Sequence, residues 1–255
     1  MQDYCRILEE INKTIDNEKY ILIQKLIDLG YCYKSVQILQ TIDNAQYRNI
    51  VIQLLIQLSN NDLGRKQLIK TNLSLFICDI LKNEQNEIYI LDIVILVGKL
   101  GISDHIRPIL FDNNVATILI DLLKRLLNIE SKLKIIKAIN MLTQTKLESE
   151  IFIKLGVVPV IIQLLSIVET DELKYSLSQQ IYWISYLSNN KEIINDTDCI
   201  NIMYRAVEKL TNKSLQSQIF WYMHYFNDGI KITNNMPIYS LWKYNFAVYN
   251  NDIKI

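Results

Sequence analysis

Two histidines, four cysteines and 27 Asp and Glu residues are the groups in this 255-residue chain that could serve as bases, nucleophiles or metal ligands. Their spacing assembles none of these chemistries. His105 and His224 lie 119 positions apart, so no helical turn or loop pairs them as ligands, or as a base with an orienting partner. Cys5, Cys32, Cys78 and Cys199 form no CxxC pair and no zinc-type spacing; they read as reduced, buried side chains of an intracellular protein. No GxSxG, HExxH, P-loop or GxGxxG sequence occurs. Gly98-Lys99-Leu100-Gly101 has the residue types of a phosphate loop, but it falls inside a helical apolar pattern with no strand before it. The expectation is a chain that is not an enzyme and holds no metal or cofactor.

The remaining chemistry is recognition. Lys and Arg total 27, equal to Asp and Glu, for a formal net charge of zero. A nucleic-acid binder or an anionic-membrane binder would need a basic excess, so neither partner is expected. Lys124-Arg125 with Lys132, Lys134 and Lys137 is the densest basic stretch. It reads as a solvated face, with a salt-sensitive dock for an acidic segment as the alternative. Ten of the 24 aromatic residues fall between Phe220 and Tyr249. Trp and Tyr anchor protein interfaces at modest entropic cost, but a C-terminal cap on a helical stack would use the same residues.

Elements that could position these groups must be helical. Six glycines and three prolines in 255 residues are too few for an all-β chain or for the Gly-rich loops of an α/β enzyme. Gly30, Asn72, Asn114, Gly156 and Asp198 are each 42 residues apart and tolerate the left-handed backbone of a helix–helix turn. Fourteen residues further on, Asn44, Asn86, Asn128, Thr170 and Asn212 are helix N-cap types. Four apolar columns hold the same period: Leu39, Leu81, Leu123, Leu165 and Val207; Val51, Ile93, Ile135, Leu177 and Ile219; Leu55, Val97, Ile139, Ile181 and Met223; and Leu58, Leu100, Leu142, Ile184 and Phe226. Positions 51, 55 and 58 follow i, i+4 and i+7, one stripe of an α-helix. Each repeat thus reads as a helix of about 12 residues, a capped turn and a helix of about 15, followed by a short third helix such as 62–70, 103–111 or 146–155.

Such units cannot bury their apolar faces alone and must stack. The fold class expected is all-α, a right-handed α-α superhelix of about five three-helix repeats at 30–71, 72–113, 114–155, 156–197 and 198–239. Residues 1–29 read as an incomplete N-terminal unit split at Asp16-Asn17, so that 1–239 forms one solenoid, and 240–255 as an aromatic tail that caps the last repeat. The most apolar stretches, Ile88–Val97 and Val157–Val168, fall short of the roughly 20 residues that span a bilayer. The N-terminus lacks a targeting pattern, so a cytoplasmic location is expected, with a nuclear pool allowed.

Three segments carry a resemblance. Gly156-Val157-Val158-Pro159-Val160-Ile161-Ile162-Gln163-Leu164-Leu165 resembles the opening of an armadillo repeat, G-x-[IV]-P-x-[IL]-[IV]-x-L-L. Tyr182-Trp183-Ile184-Ser185-Tyr186-Leu187-Ser188 resembles the third helix of importin-alpha repeats, and Leu96-Val97-Gly98-Lys99-Leu100-Gly101 is similar to A-L-G-N-[IV]-A. The resemblance covers about four fifths of the chain and implies a groove on the concave side. Importin-alpha adaptors line that groove with a Trp/Asn ladder that holds basic peptides. By the 42-residue register, the Asn positions here are Gln57, Lys99, Met141, Trp183 and Tyr225, and the Trp positions are Gln53, Ile95, Lys137, Gln179 and Trp221. Matching on the Ser-Tyr-Leu-Ser segment instead moves the fourth repeat to Tyr182 and Tyr186. The ladder is absent in either alignment.

The function expected is a scaffold that binds an extended segment or helix of another protein on the concave surface, alone or as a subunit of a larger assembly. Gln53, Gln57, Lys99, Lys137, Gln179, Trp183, Trp221 and Tyr225 are the candidate contacts. A divergent importin-alpha-like nuclear transport adaptor is the alternative. A DNA-repair enzyme on a helical solenoid is a third class, disfavoured by the charge balance and by the lack of a carboxylate column.

Overall fold

The computed structural model describes residues 2–14, 16–42, 44–188 and 199–226, excluding the side chains of 16, 17, 200 and 224–226. No strand occurs among the described residues. They divide into two compact units, 1–144 and 145–255. The first holds α1 (Gln2–Lys13), α2 (Asp16–Asp28), α3 (Tyr31–Thr41), α4 (Ala45–Ser59), α5 (Asp62–Leu68), α6 (Leu73–Asn83), α7 (Glu87–Gly101), α8 (Arg107–Asp112), α9 (Val115–Arg125) and α10 (Ile129–Leu142). The second holds α11 (Lys146–Lys154), α12 (Val157–Ile167), α13 (Asp171–Ser188), α14 (Cys199–Glu208) and α15 (Lys213–Phe226). The 42-residue cycle of medium, long and short helix is explicit in α3–α4–α5, α6–α7–α8 and α9–α10–α11. The proposed cap at 240–255 and the turn residue Asp198 lie outside the described residues.

The N-cap column is used at every position. Asn44 accepts from the Tyr47 N–H, Asn86 from Ile88 and Tyr89, Asn128 from Glu130, Thr170 from Leu173 and Asn212 from Ser214 and Leu215. Each such cap satisfies donors that the first helical turn leaves open, a contribution of about 1 kcal/mol. The turn column is more varied. Gly30, Asn114 and Gly156 are left-handed at φ 78°, 62° and 85°, as expected. Asn72 is not: its φ is −80°. There the Thr71 hydroxyl accepts from the Leu73 N–H at 3.3 Å, and the chain enters α6 without the left-handed residue.

Within the first unit α4 packs on α7 and α7 on α10, so the long helices stack in chain order; within the second, α13 packs on α15. Every described side chain of the four apolar columns is buried. A further column emerges from the short helices, Leu68, Leu110 and Phe152, each at most 1% exposed and 42 residues apart. Gly98 and Gly101 sit inside α7, against α10. A Cβ on Gly98 would stand 3.1 Å from the Ala138 Cα, and one on Gly101 2.5 Å from the Leu142 Cδ2. These glycines thus serve close helix packing, and the phosphate-loop reading is excluded.

Polar links repeat as well. Arg65 donates to the Ser59 carbonyl at 2.8 Å and pairs with Asp62; 42 residues later, the buried Arg107 donates to the Gly101 carbonyl at 3.1 Å and pairs with Asp104 at 2.6 Å. Each arginine closes the C-terminal end of a long helix, where carbonyls lack helical partners. The first residue of a long helix reaches the following repeat: Glu87 accepts from the Ser131 hydroxyl at 2.6 Å. Asp171 likewise accepts from the N–H groups of Thr211 and Asn212 and from the Thr211 hydroxyl, at 2.7–2.9 Å.

Those donors, the Asn212 N–H foremost, hold the Asp171 carboxyl below its ordinary range. A depressed folded-state pKa gives stability that is present above the unfolded pKa, about 3.9, and is lost as pH falls through the folded value. Asp171→Asn is therefore expected to lower the thermal midpoint at pH 7, with the gap to the parent closing in strong acid. Melting curves between pH 7 and pH 2 check this; a gap independent of pH would show that the charge on Asp171 contributes nothing.

Candidate functional site

The candidate contacts lie on the long helices of the two units. On the first unit, Gln53 and Gln57 lie on α4, Lys99 on α7 and Lys137 on α10; the first three are partly exposed and Lys137 is exposed. The opposite faces of these helices carry the buried columns. Between α4 and α10 stands Asp92, half-buried on α7. Burial pushes its carboxyl upward, while a hydrogen bond from the Gln53 amide and the nearby Lys134 charge act the other way. Lys134 is also paired with Glu130 at 3.3 Å, so part of the basic stretch is neutralised locally. Gln57 accepts from the Asn60 amide at 3.5 Å. This row is a polar surface with alternating amide, carboxylate and ammonium groups.

The second unit carries an aromatic cluster across α13 and α15. The Tyr182 ring, 4% exposed, is its centre. It stacks on Tyr222 at 4.7 Å and on Tyr186 at 5.7 Å, and meets the Trp183 and Trp221 rings at 5.4 and 5.1 Å, each tilted by 62°. Such tilted and offset pairs add about 0.5–1.5 kcal/mol each beyond area burial. Beneath them the Tyr175 hydroxyl donates to Gln218 at 2.7 Å, lies 3.1 Å from the Tyr222 hydroxyl and accepts from the Gln179 amide at 3.3 Å. Burial, reinforced by Tyr175, raises the Tyr222 pKa, so its hydroxyl stays neutral. Around this fixed centre Trp183, Tyr186 and Trp221 stay 39%, 49% and 46% exposed. The arrangement leaves three large aromatic side chains exposed side by side, edged by hydrogen-bonding groups.

Gln179, Trp183 and Trp221 thus lie in one packed cluster, whereas the side chain of Tyr225 lies outside the described residues. Sequence reasoning passed over Tyr175 and met Tyr182 and Tyr186 only in the alternative alignment, outside the candidate contacts. Their spacing of i, i+7 and i+11 marks one helical stripe and was the available signal. Trp183 falls on that stripe's exposed flank.

Among the described residues no three His, Cys, Asp or Glu side chains are placed to hold a metal ion. Cys32, Cys78 and Cys199 are buried and Cys5 is partly exposed. Burial pushes the Cys32 and Cys78 thiols up to about 11, which leaves little thiolate at neutral pH. His105 is exposed in the turn between α7 and α8, and the His224 side chain lies outside the described residues. No single helix among the described residues is long and apolar enough to cross a membrane.

No protein-family model and no curated protein sequence matches the chain. Solved structures do. A designed armadillo repeat protein, YIII(Dq)4CqI, superposes with a TM-score of 0.71 over 87% of this chain and 99% of its own, at 14% identity. A second designed armadillo protein, in complex with the peptide (KR)4, gives 0.68 over 87% and 98%, at 16% identity. A structure concerning the interaction between cadherin and beta-catenin gives 0.65 over 92% of this chain and 47% of that one, at 15% identity. At these identities the likeness establishes the fold: this chain is an all-α solenoid of the armadillo-repeat type.

Proposed function

We propose that this chain is a non-catalytic scaffold that binds a segment of another protein on the solvent-facing sides of its long helices. Trp183, Tyr186 and Trp221 are the anchors, and Gln179 a flanking polar contact; on the first unit Gln53, Gln57, Lys99 and Lys137 are a separate polar set, and Tyr225 is a candidate on sequence grounds alone. One observation supports this reading: three large aromatic side chains, Trp183, Tyr186 and Trp221, remain exposed together around the one buried ring of Tyr182. Singly exposed aromatics need no explanation, but a cluster of them is what interface hot spots are made of. Armadillo proteins of similar fold include one in complex with a peptide, which supports the reading.

The test is capture of partners from the native source with the full chain and with a Trp183→Ala/Trp221→Ala variant. Hot-spot aromatics each contribute about 2 kcal/mol or more, so the double variant is expected to weaken binding at least about 100-fold. Both side chains are partly exposed, and circular dichroism should show an unchanged helix content. A folded variant that binds as the parent does would remove this surface from consideration.

A further inference from the structure

We infer that the solvent-facing side of α7 and α10 on the first unit takes an acidic segment of a partner protein, one in which carboxylates alternate with aliphatic side chains; this rests on the protein-binding reading above. The two helices run in the same direction, since Glu87 meets Ser131, Gly98 faces Ala138 and Met141, and Gly101 faces Leu142. At Gly98 their backbones come close: a Cβ there would stand 3.1 Å from the Ala138 Cα. Lys99 follows Gly98 and Lys137 precedes Ala138. One residue turns an α-helix by about 100°, so on parallel helices these opposite steps send both lysines to the same side of the contact. One helical turn before Lys99 stands Ile95, and one turn after Lys137 stands Met141, both partly exposed on that side. Each helix thus presents an ammonium group and an apolar group to solvent.

The charge of this face selects the occupant. The carboxylates that border it are already matched. Glu130 pairs with Lys134 at 3.3 Å, and Asp92 lies between the Gln53 amide and the Lys134 charge. Beyond the ends of α4 and α7, Asp62 pairs with Lys66 at 2.7 Å and Asp104 with Arg107 at 2.6 Å. Lys99 and Lys137 have no such partner among the described residues. An incoming carboxylate therefore meets an opposite charge at each lysine without displacing one already there. On the neighbouring α4, the Gln57 amide oxygen accepts from Asn60, which leaves its N–H groups to donate. Ile95 and Met141 can bury an aliphatic side chain carried between two carboxylates. A basic segment would face two ammonium groups. A nucleic-acid strand would need a longer run of cations and offers little aliphatic surface.

The experiment is a fluorescence-anisotropy titration of the full chain against a labelled, blocked decapeptide of alternating Asp and Leu. Alternating Lys–Leu and Asp–Gly decapeptides and a deoxythymidine decamer are the comparisons. The Asp–Leu peptide is expected to bind at least about tenfold more tightly than Lys–Leu, and more tightly than Asp–Gly or the decamer. Its binding should weaken at least about threefold between 0.05 and 0.5 M salt, as the charges are screened. The Lys99→Glu/Lys137→Glu variant, with helix content checked by circular dichroism, should lose the Asp–Leu peptide and prefer Lys–Leu. Lys124→Gln/Arg125→Gln and Trp183→Ala/Trp221→Ala should each leave Asp–Leu binding within about twofold of the parent. The inference is overturned by equal binding of Asp–Leu and Lys–Leu, by equal or tighter binding of the decamer, or by Asp–Leu binding that survives charge reversal at Lys99 and Lys137. If Asp–Leu fails to bind while capture of a native partner still depends on Trp183 and Trp221, this inference falls and the protein-binding reading stands. If capture is insensitive both to those residues and to the two lysines, both fall.

Discussion

Phe152→Ala is expected to lower the unfolding free energy by about 3–5 kcal/mol, the usual cost of emptying a fully buried aromatic site. Phe152 is 0% exposed on α11, a nine-residue helix that packs against α12 and α13. A helix this short is not stable alone, so its place depends on the side chains it inserts. Leu68 and Leu110 occupy the same position in the preceding repeats. Phe152→Leu should therefore recover most of the loss. Urea unfolding followed by circular dichroism measures both variants, and hydrogen exchange locates the weakened amides, expected on α11 to α13. A loss below about 1 kcal/mol for Phe152→Ala would mean that the ring is not the core element described.

Gly64→Ala is expected to destabilise the first unit by about 2–3 kcal/mol, in the range found for overpacking. A Cβ at Gly64 would lie 2.1 Å from the Leu58 carbonyl oxygen and 3.2 Å from the Ile27 Cδ1. The closer atom is backbone, so no rotamer change relieves the clash, and α5 must move away from the end of α4. The helix-propensity gain of Ala over Gly, about 1 kcal/mol, offsets only part of this. The sign is the discriminating result: if Gly64→Ala raises the urea midpoint, propensity has won and the close approach is absent.

The helical repeat was legible because its physics is local. A helix N-terminus needs a side-chain acceptor wherever it lies, and Asn44, Asn86, Asn128, Thr170 and Asn212 supply one at a fixed spacing. Burial follows helical periodicity just as directly, so Val51, Ile93, Ile135, Leu177 and Ile219 could be assigned to the core from spacing alone. Asn72 shows the limit. Residue type permitted a left-handed turn, and the Thr71 hydroxyl next to it made one unnecessary. The short-helix column of Leu68, Leu110 and Phe152 was missed because a helix of two turns shows too little periodicity to stand out.

The candidate site was legible only in part. Gln179, Trp183 and Trp221 could be placed on long helices by register. Tyr182 could not be recognised as the buried centre of their cluster, because the ring–ring contacts with Tyr222 and Trp221 join residues about 40 positions apart. The Gln53–Asp92–Lys134 row has the same origin, one residue from each of three successive long helices.

The sequence by itself determined the repeat length, the helix starts and the core columns, since each depends on residue type and on separations within one helical unit. The tertiary structure decided which polar and aromatic side chains meet between repeats, and which glycines allow helices to touch. Those contacts depend on how one helix rests on the next, and a 42-residue spacing does not specify that distance or angle.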